Sequence, residues 1–127
     1  MSNALNWFEI PVSDFERAKK FYEAIFNYQM PESQMGPARM GFLLFDFQNA
    51  KVGGAIVHYP EFYSPQANGT LVYLNCEPDL QLVLDRIENA GGQLLQGKNE
   101  ISTEQKLGFY ALILDSEGNR VALHSMS

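Results

Sequence analysis

Residues 8–26 have the sequence FEIPVSDFERAKKFYEAIF and contain the pattern that decides the fold. The residues around its start are rich in β-branched and aromatic side chains, which predicts a strand over residues 6–12. Ser13 and Asp14 are both good N-cap residues, and Ser13 with Glu16 fits a capping box. Apolar side chains then recur with helical spacing, which predicts one buried stripe: Phe15, Ala18, Phe21, Tyr22, Ile25 and Phe26.

The rest of the first half continues as short strands. The helix is predicted over residues 14–26 and ends at Asn27, a residue that tolerates the left-handed conformation of a helix C-terminus. A short extended segment over residues 28–30 follows, and two strands are predicted over residues 40–47 and 52–59. This half therefore has the order strand, helix, strand, strand, strand.

A proline-rich segment separates this half from a second one. Residues 60–69 contain two prolines and a glycine and favour a linker, with a lid that carries Phe62 and Tyr63 as the alternative. The same order of elements then restarts, which indicates a duplication with a pseudo-twofold arrangement. The predicted elements of the second half are a strand at 70–76, a helix at 79–90, a strand that begins at 93–95, and a hairpin of strands 107–114 and 120–124.

The repeat also predicts how the two halves pack. His58 and His124 are expected at equivalent ends of the last strands, and Asp46 and Asp115 precede equivalent turns. Each unit is expected to form an antiparallel sheet with a helix on one face only. Its other face needs a partner, so pairing the two sheets would enclose a cavity for a small molecule.

Composition excludes several classes of protein. The 127 residues suffice for one domain with a hydrophobic core, and the net charge of −6 makes a nucleic acid an unexpected partner. No stretch approaches the length of apolar sequence that crosses a bilayer, and the N-terminus lacks the features of a signal peptide. A single cysteine, Cys76, excludes an internal disulfide. These features predict a soluble cytoplasmic protein that does not act on membranes.

Three stretches together resemble the glyoxalase/bleomycin resistance protein/dioxygenase superfamily, also called the vicinal oxygen chelate superfamily. Besides residues 8–26, they are GTLVYLNC followed by LDRIENAGGQLL in the second half, and LDSEGNRVALHS at the end. The resemblance implies an α+β fold of two tandem βαβββ units in a single domain over residues 1–127. The first unit would span residues 5–59 and the second residues 70–125. It also implies a small-molecule ligand or substrate and a homodimer.

Enzymes of this superfamily usually hold a divalent metal with four side chains from the first and last strands of each unit. The resemblance places these positions at Trp7, Ile56, Leu71 and Ala122. None of these side chains ligates a metal, because metal ions bind to His nitrogen, Cys sulfur or carboxylate oxygen. We therefore predict no metal or other cofactor at these four positions.

Residues two further along each strand should point the same way, because side chains alternate between the faces of a sheet. They are Glu9, His58, Tyr73 and His124. Two histidines and a carboxylate are ligand types of a metal site, so a divalent metal held by Glu9, His58 and His124 is an alternative.

We expect Trp7, Glu9, Tyr73 and His124 to line one cavity, with His58 as a further ligand-binding residue. In that cavity Glu9 and His124 are the candidate catalytic residues, and a pair between them would favour an acidic or carbonyl-bearing ligand. The alternative is that Glu9 pairs with an arginine and that both histidines face water.

These residues allow two kinds of function. Apolar side chains at the metal positions favour a small-molecule-binding protein. Glu9 together with His58 or His124 favours an enzyme, either of a lyase, isomerase or dioxygenase type with a shifted metal or a metal-free one with acid–base groups.

Overall fold

The computed structural model describes residues 3–43, 48–49 and 51–127. In the described chain the order of elements is strand, helix, strand, strand, strand, and it occurs twice. The α+β fold of two tandem βαβββ units is therefore confirmed. The elements are β1 (Trp7–Pro11), α1 (Phe15–Phe26), β2 (Glu32–Met35), β3 (Ala38–Leu43), β4 (Gly53–His58), β5 (Tyr73–Asn75), α2 (Leu80–Leu84), β6 (Gln93–Glu100), β7 (Phe109–Leu114) and β8 (Arg120–Ser125).

The strands form two sheets with equivalent topology. Their orders are β1-β4-β3-β2 and β5-β8-β7-β6. The first and last strands of each unit run parallel, whereas the other neighbours are antiparallel. The expectation of purely antiparallel sheets was wrong. The last strand of each unit lies between the first and third strands and runs in the same direction as the first.

The first helix begins one residue later than the predicted bound, with Asp14 as its N-cap. The Asp14 side chain accepts a hydrogen bond from the Arg17 backbone N–H, so Ser13 does not form the predicted capping box with Glu16. Asn27 ends the helix in the left-handed conformation with φ 53°, as predicted. The predicted apolar stripe is buried except for Phe26, which is half-buried against the core.

The second helix is shorter than the predicted residues 79–90. The α-helical part ends at Leu84, and hydrogen-bonded turns continue to Gly91. In these turns the backbone N–H groups of Arg86 and Ile87 donate to the carbonyl groups three residues earlier, a tighter spacing than that of an α-helix. Ile87 is nevertheless fully buried, so the turns keep the apolar side of the predicted helix in the core.

Several strand bounds also differ from the predictions. The second strand is at Glu32–Met35 rather than at residues 28–30. Residues 28–30 bond elsewhere, since the Tyr28 hydroxyl donates to the Phe42 carbonyl and the Met30 N–H to the Glu23 carboxylate.

Other differences concern where the strands start and stop. The strand predicted at residues 70–76 is reduced to Tyr73–Asn75. The strand predicted at residues 40–47 starts earlier, at Ala38. The end of that prediction, residues 44–47 with Asp46, lies outside the described residues.

One hydrophobic core joins both units. It contains the buried sides of both helices and the strand residues that face them, such as Ile10, Ile56, Leu74 and Leu123. Each sheet therefore has a helix-covered face and an open face. None of the helices in the described residues is long and apolar enough to span a membrane.

The turn between β7 and β8 binds the second unit to the start of the first helix. The Glu117 side chain has no exposed surface, and its Oε1 atom accepts hydrogen bonds from the backbone N–H groups of Ser13 (3.1 Å) and Asp14 (2.8 Å). Its Oε2 atom pairs with Nε of Arg17 at 2.7 Å. A carboxylate at a helix N-terminus is also stabilised by the helix dipole.

Two neighbouring side chains strengthen this attachment. The Tyr22 hydroxyl donates to the buried Asp115 carboxylate at 2.8 Å, and Asn119 donates to the Pro11 carbonyl oxygen at 2.7 Å. Burial raises the pKa of Asp115, although Asn119 and Tyr22 donate to its carboxylate. Polar contacts across the two units therefore surround one end of the shared core.

The environment of Glu117 favours its ionised form. Burial opposes ionisation, but the hydrogen bonds from Arg17 and from the Asp14 backbone outweigh it and lower the pKa of Glu117 from 4.5 to about 2. Because the pKa in the folded state is below the ordinary value, this contact stabilises the fold fully above pH 4.5. The stabilisation is lost as the pH falls from 4.5 towards 2.

We predict that Glu117→Gln lowers the free energy of unfolding by about 1–3 kcal/mol at neutral pH, because it weakens the charge-assisted hydrogen bonds that this covered side chain accepts. The difference from the wild-type protein should shrink at pH 3, where the carboxylate advantage is being lost. Urea unfolding at both pH values measures this. Glu88→Gln removes the same charge from an exposed helix-side position and is the matched control. Equal losses of stability in both variants would contradict the prediction.

Candidate functional site

The parallel pairing of β1 with β4 defines which side chains share the open face of the first sheet. Trp7 is opposite Gly53, and Glu9 is opposite Ala55. Met40, Ala55 and Val57 are buried together on this face and pack against Trp7 and other aromatic side chains, in a cluster separate from the main core. The open face of the first unit is therefore apolar and carries its own small core.

A pocket of about 640 Å³ lies on this open face. Five aromatic side chains form most of its wall, namely Trp7, Phe42, Tyr59, Phe62 and Tyr63. Met35, Ala38 and Met40 complete the apolar lining, and Glu9 contributes the pocket's one charged side chain. A mostly apolar pocket with one polar anchor is typical of small-molecule sites.

The linker supplies one side of this pocket. Tyr59 stacks on Tyr63 at 6.2 Å between ring centroids and contacts the edge of Phe62 at 4.9 Å. The Tyr63 hydroxyl donates a hydrogen bond of 2.5 Å to Oε1 of Glu9. This bond is the first cause of the raised pKa of Tyr63. The Glu9 carboxylate thus has a tyrosine partner rather than the histidine or arginine that the sequence predicted.

His58 and Ile56 are not on the face that carries Trp7 and Glu9. Ile56 is fully buried in the main core on the helix side, and alternation places His58 on that side too, opposite Arg39. The assignment of both residues to the cavity face was therefore wrong. The residues of β4 that lie on the open face are Ala55 and Val57, each one position before the residue that the sequence predicted there (Ile56 and His58).

Tyr73 and His124 lie on the open face of the second sheet. Tyr73 pairs with Ala122 and Asn75 with His124, so the expected sharing of a face by Tyr73, Ala122 and His124 agrees with the register. Tyr73 is half exposed and lines a different depression, together with Leu5 and other residues between the sheets. His124 contacts the Leu107 carbonyl oxygen through Nε2 at 2.7 Å.

The expected cavity of Trp7, Glu9, Tyr73 and His124 is thus not assembled within this chain. Trp7 and Glu9 line one pocket, whereas Tyr73 lines another and His124 bonds to a loop of its own unit. The physical reason is that the two units share a core on their helix sides, so their open faces do not oppose each other. Within the described part of the chain, no three His, Cys, Asp or Glu side chains are grouped to hold a metal ion.

The fold agrees with a comparison against protein families. The Glyoxalase/Bleomycin resistance protein/Dioxygenase superfamily profile matches residues 4–123. The chain belongs to this superfamily. No curated protein sequence matches it significantly.

Solved structures support the same superfamily fold. A glyoxalase/bleomycin resistance protein from Albidiferax ferrireducens T118 has a TM-score of 0.70 and 13% identity, with 97% of this chain and 98% of that chain covered. A glyoxylase/bleomycin resistance protein/dioxygenase domain from Frankia sp. EAN1pec has a TM-score of 0.70 and 11% identity, with 98% of both chains covered.

A longer enzyme is similar over part of its length. Glyoxalase I from Zea mays has a TM-score of 0.70 and 16% identity. The match covers 96% of the present chain but only 46% of the maize chain, so the present chain spans about half of the maize enzyme. At these identities the likeness concerns the fold alone. The substrate of the maize enzyme therefore does not transfer to this chain.

Sequence reasoning favoured a plain linker over a lid at residues 60–69. The prolines and the glycine at residues 60–69 favoured a plain connection, yet Phe62 and Tyr63 cover the open face. Two adjacent aromatic residues in a short polar linker were the signal that indicated a covering segment. Met35 was missed for another reason, since its strand was predicted at residues 28–30 rather than at Glu32–Met35.

The Tyr63–Glu9 bond predicts a measurable shift in the ionisation of Tyr63. Glu9→Gln removes the carboxylate that raises the pKa of the Tyr63 phenol, so the Tyr63 ring should titrate at a lower pH in the variant. The Cζ resonance of 13C-labelled tyrosine, assigned with Tyr63→Phe, measures the midpoint. An unchanged Tyr63 midpoint in Glu9→Gln, with the fold intact by circular dichroism, would show that the bond does not persist in solution.

Proposed function

We propose that this chain binds a small, flat, apolar molecule in the open-face pocket of the first unit. The observation that carries the proposal is a 640 Å³ pocket with five aromatic walls and one charged anchor, Glu9. A pocket of this size and lining accommodates a ligand of a few rings. Membership of a superfamily named partly for drug resistance is consistent with a binding role but does not identify the ligand.

The chemistry of the pocket indicates the polar group of the ligand. Glu9 accepts a hydrogen bond from Tyr63 through Oε1, and its second oxygen remains available as an acceptor. Aromatic faces attract cations, and the protein as a whole carries a net charge of −6. We therefore propose a ligand with a cationic or hydrogen-bond-donating group, which replaces the acidic ligand expected from a Glu9–His124 pair.

This proposal involves no metal. Trp7, Ala55 and Val57 share the open face with Glu9 and do not ligate a metal, and His58 is paired with Arg39 on the other face. Binding of the ligand would then rest on the aromatic walls and on Glu9. Tyr73 and His124 lie on the second sheet and do not reach this pocket within one chain. They could contribute only if the second sheet of another chain packed against the open face of the first sheet.

Catalysis is the second candidate function, and one observation favours it. The Tyr63 hydroxyl and the Glu9 carboxylate are hydrogen-bonded at the edge of the pocket, an arrangement that can move a proton to or from a bound molecule. In this alternative Glu9 is the acid–base group, and neither histidine assists it within the chain. Turnover that is lost in both Glu9→Gln and Tyr63→Phe would support it.

We also propose a cytoplasmic homodimer in which the open faces of two chains cover each other. Met35 and Phe62, which line the pocket, are 60% and 74% exposed, and a partner would remove this apolar surface from water. Light scattering at high micromolar concentration should give twice the mass of 14.3 kDa, and Met35→Lys should shift the mass towards that of the monomer. A monomer mass for the wild-type protein would overturn this proposal.

Trp7 allows the binding proposal to be tested directly, because it is the only tryptophan and lies in the pocket wall. Benzamidine, a flat cation that donates hydrogen bonds, should change the Trp7 fluorescence saturably, whereas benzoate of the same size should bind at least about tenfold more weakly. Glu9→Gln should weaken benzamidine binding by about tenfold, which corresponds to about 1.4 kcal/mol.

The control for this experiment is Glu61→Gln, which removes the same charge from an exposed position of the linker. It should leave the affinity for benzamidine unchanged. Equal binding of benzamidine and benzoate, or equal effects of the Glu9 and Glu61 variants, would contradict the assigned role of Glu9.

A further inference from the structure

A second pocket lies between the two units and has a different chemistry. Its volume is about 380 Å³, and its lining comes from β1, from the linker with the residues that follow it, and from the start of β8. Most of its wall is apolar, with side chains from both units: Leu5, Phe8, Ile10, Val72 and Val121. It is separate from the open-face pocket, with which it shares only Glu9.

Arg120 is the unusual residue of this inter-unit pocket. Among the described residues, its Nε atom is the one buried side-chain nitrogen or oxygen that has no hydrogen-bond partner. Arg120 forms no ion pair with any described residue. The basic residues that do form ion pairs there are Arg17, Lys19, Arg39 and Lys98. A buried donor without an acceptor costs about 1–3 kcal/mol, so an acceptor bound at this guanidinium would remove that cost.

We propose that the inter-unit pocket binds a small organic carboxylate through Arg120, with the hydrocarbon part of the ligand against the apolar wall. A guanidinium presents its N–H groups in a planar fork that matches the two oxygens of a carboxylate. The apolar residues of β1 and β8 supply the surface for an alkyl or aryl body. Ser64 and Thr70 line the same pocket, and a hydroxyl group can donate a hydrogen bond to a carboxylate.

Glu9 does not prevent this assignment. It lines both pockets, but the Tyr63 hydroxyl holds its Oε1 atom, and Tyr63 belongs to the open-face pocket. No ion pair joins Glu9 to Arg120 among the residues described, so the guanidinium is not already neutralised by it. A carboxylate in the inter-unit pocket would therefore gain an unpaired cation as its partner.

Backbone bonds hold Arg120 in its position beside the linker. Its N–H group donates to the Gln66 carbonyl oxygen, and the Gln66 N–H donates to the Asn119 side chain at 3.0 Å. Asn119 in turn donates to the Pro11 carbonyl oxygen at the end of β1. The two units and the linker are thus hydrogen-bonded to one another beside Arg120, so the fold itself fixes the backbone on this side of the pocket.

Hexanoate and hexanol are the probes for this inference, since they share a hydrocarbon chain and differ in charge. In two-dimensional 15N NMR of the full chain, hexanoate should move the Arg120 Nε–Hε resonance saturably. Hexanol should bind at least about tenfold more weakly, because it lacks the charge-assisted bonds. Arg120→Gln should weaken hexanoate binding about tenfold by calorimetry, whereas Lys20→Gln, which removes the same charge from an exposed site, should not.

Each outcome decides the inference. Equal affinity for hexanoate and hexanol, an unmoved Arg120 resonance, or the same affinity in Arg120→Gln would overturn it. If Arg120→Gln does not fold, the wild-type resonance and the two probes still decide. Glu9→Gln separates this inference from the proposed function, because the variant should keep or strengthen hexanoate binding while it weakens benzamidine binding at Trp7.

Discussion

The structure depends most on the carboxylate of Glu117 at the start of helix α1. It accepts hydrogen bonds from two backbone N–H groups there, from the Ser13 hydroxyl and from Arg17, across about a hundred positions of sequence. Two like-built units could pack in several relative positions, since the shared core is apolar and apolar contacts have little directional preference. The charged, directional contact selects one position, and this position also places the start of β8 beside the linker.

Two kinds of chemical surface result from this arrangement. The helix sides of both sheets are used in the shared core, so the open face of each sheet is left for other molecules. On the first sheet the open face is aromatic and carries the Glu9 carboxylate, whereas the inter-unit pocket contains the Arg120 guanidinium. Superfamily membership accounts for the scaffold, but these charges come from individual residues, which explains why the fold alone does not identify a ligand.

The sequence predicted the scaffold better than the site. Helix α1 could be predicted because its apolar spacing, its cap at Asp14 and its end at Asn27 are all local. The face of His58 could not, since a shift of one residue in β4 reverses every side chain, and the register depends on pairing with β1. That pairing brings Phe8 against Gly54, where an added Cβ would lie 2.5 Å from the Phe8 carbonyl oxygen. Such a close approach between distant strands leaves no periodic signal in the sequence, and neither does the bond from Tyr63 to Glu9.

The linker has a consequence for the energetics of the two pockets. Tyr63 lines the open-face pocket, and Ser64, the next residue, lines the inter-unit pocket. A ligand that shifts the backbone at Tyr63 also shifts Ser64, because a single peptide bond joins them, and both pockets share Glu9. Occupation of one pocket is therefore expected to change the affinity of the other, and thermodynamic reciprocity requires the same factor in both directions. A segment that connects two duplicated units would in this way act as a heterotropic coupling element between their ligands.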